Sequence, residues 1–187
     1  MYTKLEEALH FVMKCYEGQK RRNDNINRSY QPIVVANMIR NINDIEDVTV
    51  AALLHRTIMD TEYGYEEIEE MFGTLVADMV SDLSEDMSIA KWLDRKKDFI
   101  KRMKQCNDID VINIVVAAKL ADLLGDYQAF LKRGDKIWKD VGGSKEENAY
   151  VYREIYSLAK RKRANSNLLE RYKNMIIIYF GEIDEED

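Results

Sequence analysis

An all-α fold is predicted by three features of this 187-residue chain. It holds one proline, Pro32, and only eight glycines, so few positions suit the tight turns of a stranded protein. Its first segment carries apolar residues at helical spacing. No stretch alternates apolar and polar residues convincingly over a strand's length.

The elements follow in order. YTKLEEALHFVMKCYEG places Leu5, Ala8, Val12 and Cys15 on one stripe, and Gly18 ends that helix. QKRRNDNINRS reads as a polar loop. A second helix, PIVVANMIRNI, starts at Pro32, where a first-turn proline is tolerated. EDVTVAALLHRTIMD is predicted as a third helix through residues 46–60, more apolar and hence more buried. GYEEIEEMFG is a short amphipathic turn closed by Gly73, and TLVADMVSDLS continues from it. SIAKWLDRKKDFIKRMKQC is strongly charged and is placed on the surface. DIDVINIVVAAKLADLLGDYQAFL is the most apolar segment and the expected central helix. KEENAYVYREIYSLAKRKRAN and SNLLERYKNMIIIYFG complete the set; NMIIIYF is β-branched, but it follows helix-favouring residues. One helical domain over residues 1–180 is expected, with an acidic tail at 181–187.

Composition narrows the function classes. Hydrophobic residues make up 46% and charged residues 33%, a globular rather than a disordered profile. The net charge of −6 gives no support to nucleic-acid binding. Cys15 and Cys106 lack ligand-like spacing and make no disulfide framework, which points to a reducing interior. MYTKLEEALHF carries charges where a signal peptide needs an apolar core, and no segment approaches the roughly 20 apolar residues of a membrane span. A cytoplasmic protein without a membrane partner is expected.

Two residues draw attention on chemical grounds. His55 ends the apolar run AALLH; a lone histidine there is most simply a satisfied core residue. Asp122 sits in the most hydrophobic helix, where an ionised carboxylate is costly unless paired or bound to metal. Two such groups alone do not hold a hard divalent ion, which seeks about six donors.

Five blocks occur in order: GQKRR (18–22), SYQPIVVA (29–36), AALLHRTIMDT (51–61), FGTLVADMV (72–80) and AAKLADLLGD (117–126). The series resembles the HD-domain phosphohydrolases, specifically the RelA/SpoT-type and small single-domain (p)ppGpp pyrophosphohydrolases. Their blocks look like GQ-x-RK, Y-x-x-HP-x-x-VA, AALLHD-x-x-ED, FG-x-x-VA-x-x-V and KLADR-x-x-N. The resemblance implies an HD-domain helical bundle and, in an active member, Mn²⁺ or a similar divalent metal. The implied metal ligands fall on Gln31, His55, Arg56 and Asp122. His55 and Asp122 are retained; a neutral amide and a guanidinium stand at the other two positions.

The implied catalytic Glu-Asp pair falls on Met59 and Asp60, and a thioether does no general acid–base work. Substrate-binding positions fall on Lys20, Arg21 and Arg22, which otherwise read as solvated surface, and on Leu123 and Asp126; Asp126 would repel phosphate. A family-like site sums to about −2 before metal arrives, whereas Gln31, His55, Arg56 and Asp122 sum to zero. A cation beside a fixed guanidinium is repelled, so Arg56 is expected to take the metal's place and pair with Asp122. The alternative is an i,i+4 contact with Asp60.

Three functions remain open on this reading. The first is a non-catalytic pseudo-hydrolase, without cofactor, that binds a guanine nucleotide or another phosphorylated small molecule, or acts through a protein partner. The second is an active alarmone-type pyrophosphohydrolase with altered ligands. The third is a structural or interaction module. No synthetase-like segment is expected, and the sequence is silent on oligomeric state.

Overall fold

The computed structural model describes residues 2–21 and 25–183. They are helical, with no strand among them; an isolated antiparallel bridge joins Lys20 to Asn27. Arg22 and residues 184–187 of the expected tail lie outside the described residues. Backbone contacts divide the chain into two compact units, residues 2–21 with 25–85 and residues 86–183.

The first unit opens with α1 (Lys4–Cys15). Thr3 caps it: its hydroxyl accepts from the Glu6 N–H, and the Glu6 carboxylate accepts from the Thr3 N–H at 2.7 Å. α2 (Tyr30–Arg40) begins two residues before Pro32, which the first helical turn accommodates. α3 (Glu46–Leu54) is buried continuously from Val48 to Leu54 and packs against α1, α2 and α6 (Thr74–Leu83). α5 (Tyr65–Phe72) turns into α6 at Gly73, whose φ of 91° lies in the left-handed region. Ile68, Phe72, Val76 and Val80 complete this core.

The third predicted helix is two. α3 stops at Leu54, and α4 (Thr57–Asp60) restarts after His55 and Arg56. In an unbroken helix the Ala52 carbonyl would accept from the Arg56 N–H. The His55 ring instead places Nδ1 2.7 Å from that carbonyl. The Arg56 carbonyl then starts the next turn, accepting from the N–H groups of Met59 and Asp60.

In the second unit, α7 (Trp92–Gln105) is less superficial than its charge suggests, because Phe99, Ile100 and Met103 are buried. α8 (Ile109–Arg133) is the expected central helix. Asp108 caps it, and 25 residues make it about 37 Å long. α10 (Lys145–Arg161) and α11 (Ser166–Phe180) pack on α8 and on each other. NMIIIYF is therefore helical, with Ile176 and Tyr179 buried. A 3₁₀ turn (Gly134–Ile137) and the short α9 (Trp138–Val141) fill a stretch for which the sequence predicts no element. No described helix is long and apolar enough to cross a membrane.

Candidate functional site

The break between α3 and α4 builds the polar centre of the first unit. His55, 5% exposed, donates from Nδ1 to the Ala52 carbonyl, because a carbonyl oxygen can only accept. Gln31 is buried in the first turn of α2. Arg56 follows the break, and its side chain turns to Asp60 one turn on: Nε donates to Oδ2 at 2.8 Å and Nη2 to Oδ1 at 3.3 Å. Of the two pairings weighed for Arg56, the i,i+4 contact with Asp60 is formed. It needs no long-range closure, since both residues belong to one turn.

Asp60 collects two further partners. Arg28 Nη2 stands 2.9 Å from Oδ2, and the Tyr16 hydroxyl donates to the same oxygen at 3.1 Å. Burial alone would raise the Asp60 carboxyl; the Arg56 charge and hydrogen bond, the Arg28 charge and the Tyr16 hydroxyl together hold it below its ordinary range. Tyr16 shifts the other way: burial, then the Asp60 charge, raises its phenol well above the usual range. It therefore donates and does not titrate near neutrality.

A folded-back loop delivers Arg28. The Arg21 N–H donates to the Ile26 carbonyl at 2.8 Å, and the Arg28 N–H donates to the Gln19 carbonyl at 3.1 Å. Lys20 is exposed on this loop, opposite Asn27. The Arg21 guanidinium lies over the Tyr30 ring, 5.4 Å from its centroid. Met59 accepts at sulfur from the Glu85 N–H at 3.2 Å.

In the second unit, Asp122 is engaged by Lys119 of the same helix at 3.4 Å. Asp126 is half-buried, and its charge, behind the larger effect of burial, helps raise the phenols of Tyr152 and Tyr179. Asp122 acts in the same way on Tyr172, whose hydroxyl donates to the Tyr152 carbonyl at 3.1 Å. Among the described residues, no three His, Cys, Asp or Glu side chains stand together as a metal site would need.

Of the positions singled out in the sequence, Arg56 and Asp60 are brought into contact. Arg28 and Tyr16 were not foreseen. Neither belongs to a motif, and only the folded loop carries Arg28 to Asp60.

The profile of the HD domain matches residues 8–131. The chain belongs to the HD-domain family. It is 33% identical over 138 residues to the guanosine-3′,5′-bis(diphosphate) 3′-pyrophosphohydrolase MESH1 of Xenopus tropicalis, covering 72% of this chain and 73% of that protein. To MESH1 of Danio rerio it is 34% identical over 107 residues, 55% of this chain and 58% of the relative. The match thus spans little more than half the length of the zebrafish protein. The bifunctional (p)ppGpp synthase/hydrolase SpoT of Escherichia coli K12 is 32% identical over 124 residues, 64% of this chain but 17% of that protein. The HD-domain fold is shared with the solved structure of a metazoan SpoT ortholog that hydrolyses ppGpp. The TM-score is 0.76 at 22% identity, over 97% of this chain and 98% of that one. A structure from Listeria monocytogenes EGD-e gives a TM-score of 0.71 at 24% identity, over 81% and 94%. The chain is thus an all-α HD-domain protein related to the (p)ppGpp hydrolases.

Proposed function

We propose that this HD-domain protein is a pseudo-hydrolase: a relative of the (p)ppGpp pyrophosphohydrolases that does not hydrolyse its ligand, and that binds a guanine nucleotide or another phosphorylated small molecule. The observation that carries this reading is the binding of Asp60 by two guanidiniums. The carboxylate at the family's catalytic position is engaged by Arg56 and Arg28, and its lowered pKa makes it a poor proton acceptor near neutrality.

The donor set points the same way. Hard divalent ions seek several oxygen or imidazole donors and a net negative site. Here Gln31 is neutral, Arg56 is a cation, and Asp122 is engaged by Lys119. These residues do not fit a resident Mn²⁺ or similar ion. His55 favours the second reading, an active enzyme with altered ligands, because its Nδ1 contact leaves Nε2 suited to a metal.

Hydrolysis of ppGpp with excess Mn²⁺ separates the two. The wild type is expected to release no pyrophosphate above the rate without protein. The triple variant Gln31→His, Arg56→Asp, Met59→Glu is expected to gain metal binding. Pyrophosphate release by the wild type would refute the pseudo-hydrolase reading.

A further inference from the structure

The chain segregates its charge. From Thr57 to Ala90 it holds ten aspartates and glutamates and no lysine or arginine. The fourteen residues from Lys91 to Lys104 then hold seven lysines and arginines against two aspartates. The first block supplies α5 and α6, the second supplies α7, and each leaves a charged helix face in water.

On α5, Glu66 and Glu70 are exposed one turn apart, and the exposed Met71 and Leu75 follow at the corner with α6. The Tyr65 hydroxyl donates to Asp78 Oδ1 at 2.8 Å and the Thr74 hydroxyl to Glu69 Oε1 at 2.9 Å, so the hairpin is fixed by bonds to other carboxylates. On α7, Lys97 and Lys101 are exposed one turn apart, and Lys104 follows. Lys97 Nζ stands 5.9 Å from the centroid of the Tyr150 ring on α10, a residue 43% exposed. Lys104 pairs with Glu154 at 3.0 Å, and Lys162 donates to the Cys106 carbonyl at 2.7 Å, which ties α7 along α10. The acids of α7 itself are Asp94, one turn before Lys97, and Asp98, which accepts from Arg102 at 3.1 Å.

Like charges four residues apart on a helix repel and cost it stability. Glu66 with Glu70 and Lys97 with Lys101 are two such pairs, opposite in sign and equal in spacing. A helix bearing one pair, laid beside a helix bearing the other, relieves both. Each face also has apolar surface next to its charges, Met71 and Leu75 on one and Tyr150 on the other, as an interface with a charged rim requires.

We infer that the α5–α6 face of one copy of this chain docks on the face formed by α7 and Tyr150 of a second copy. A second copy is the partner because the chain itself presents both halves of the match. The two faces differ, so the contact is heterologous, and association either closes into a ring or continues. Exposed ion pairs are individually weak and are screened by salt. The net charge of −6 opposes approach at long range. The association is therefore reversible and strongest at low salt. It is independent of the hydrolysis question, since neither face includes Asp60 or its partners.

The test is sedimentation velocity of the full chain over a range of protein concentrations, at about 50 mM and about 500 mM NaCl, either side of physiological screening. Mass is expected to rise with concentration at low salt and to return to the monomer at high salt. Lys97→Glu with Lys101→Glu, and separately Glu66→Lys with Glu70→Lys, are each expected to weaken association about tenfold, as two attractions become repulsions. An equimolar mixture of the two variants is expected to associate again, although both remain net negative. The milder pair Glu66→Gln with Glu70→Gln covers the case in which lysines in the first turns of α5 prevent folding. Lys132→Glu with Lys136→Glu makes the same charge change on other exposed lysines and is expected to behave as the wild type. A wild type that stays monomeric at low salt would overturn the inference, and if that monomer bound poly-glutamate the α7 face would belong to an acidic protein instead. Association that persists in both folded reversal variants would overturn it equally.

Discussion

Burial by itself would push the Asp60 carboxyl above its ordinary value of 3.8, since charge is costly away from water. The Arg56 charge and hydrogen bond, the Arg28 charge and the Tyr16 hydroxyl reverse the sign. A carboxyl lowered by folding contributes stability that is complete above its ordinary pKa and disappears as pH falls through the lower folded value. Asp60→Asn is therefore expected to cost about 1–2 kcal/mol at pH 7, a figure held down because both guanidiniums are a third exposed. The gap should close as pH falls below 3.8 and through the lower folded value. Thermal melts of wild type and variant across that range check this; parallel pH profiles would show that Asp60 gains nothing from its partners. At this scale the sequence was half legible. Arg56 and Asp60 stand at i,i+4, and their contact is local, so spacing alone offered it as one of two options. Arg28 could not be read, because its place beside Asp60 depends on the backbone bonds of the loop from Gln19 to Arg28, which no residue pattern announces.

Helical periodicity located the long elements because each buries one face. α8 is apolar through most of its length, and α11 is helical despite three consecutive isoleucines. Periodicity did not locate the break after Leu54. Apolar residues flank both sides of it, and what marks it is one side chain, the His55 ring, at the Ala52 carbonyl. Nor did it locate the 3₁₀ turn and α9, which are too short to show a repeat. A different kind of constraint follows α9. At Gly143, φ is 70°, and an added Cβ would stand 2.6 Å from the Trp92 ring. Gly181 has a φ of 85° but open space around it. Gly143→Ala thus combines backbone strain with a clash against an aromatic ring, whereas Gly181→Ala carries strain alone, about 1–3 kcal/mol. Gly143→Ala is expected to lower the midpoint of chemical denaturation by clearly more than Gly181→Ala. Equal shifts would mean that Trp92 moves aside at no cost.

For the whole molecule, membership of the HD-domain family could be anticipated from five ordered blocks, and the match over residues 8–131 and the shared fold agree with it. Activity is a separate matter, because a helical scaffold persists through changes that remove its chemistry. On the proposed reading the differences are of charge as well as shape: the resemblance implies a carboxylate where Arg56 follows His55 and a glutamate where Met59 stands, and Asp60 is held by two arginines. A cation approaching Asp60 meets a carboxylate already engaged by two guanidiniums. The central claim, that Arg56 and its partners stand where a metal would, is tested most directly by metal content. The protein is loaded with excess Mn²⁺, desalted and assayed by elemental analysis. The account predicts well under about one-tenth of an ion per chain, the background expected when no site holds the ion tightly. Near-stoichiometric manganese would contradict it.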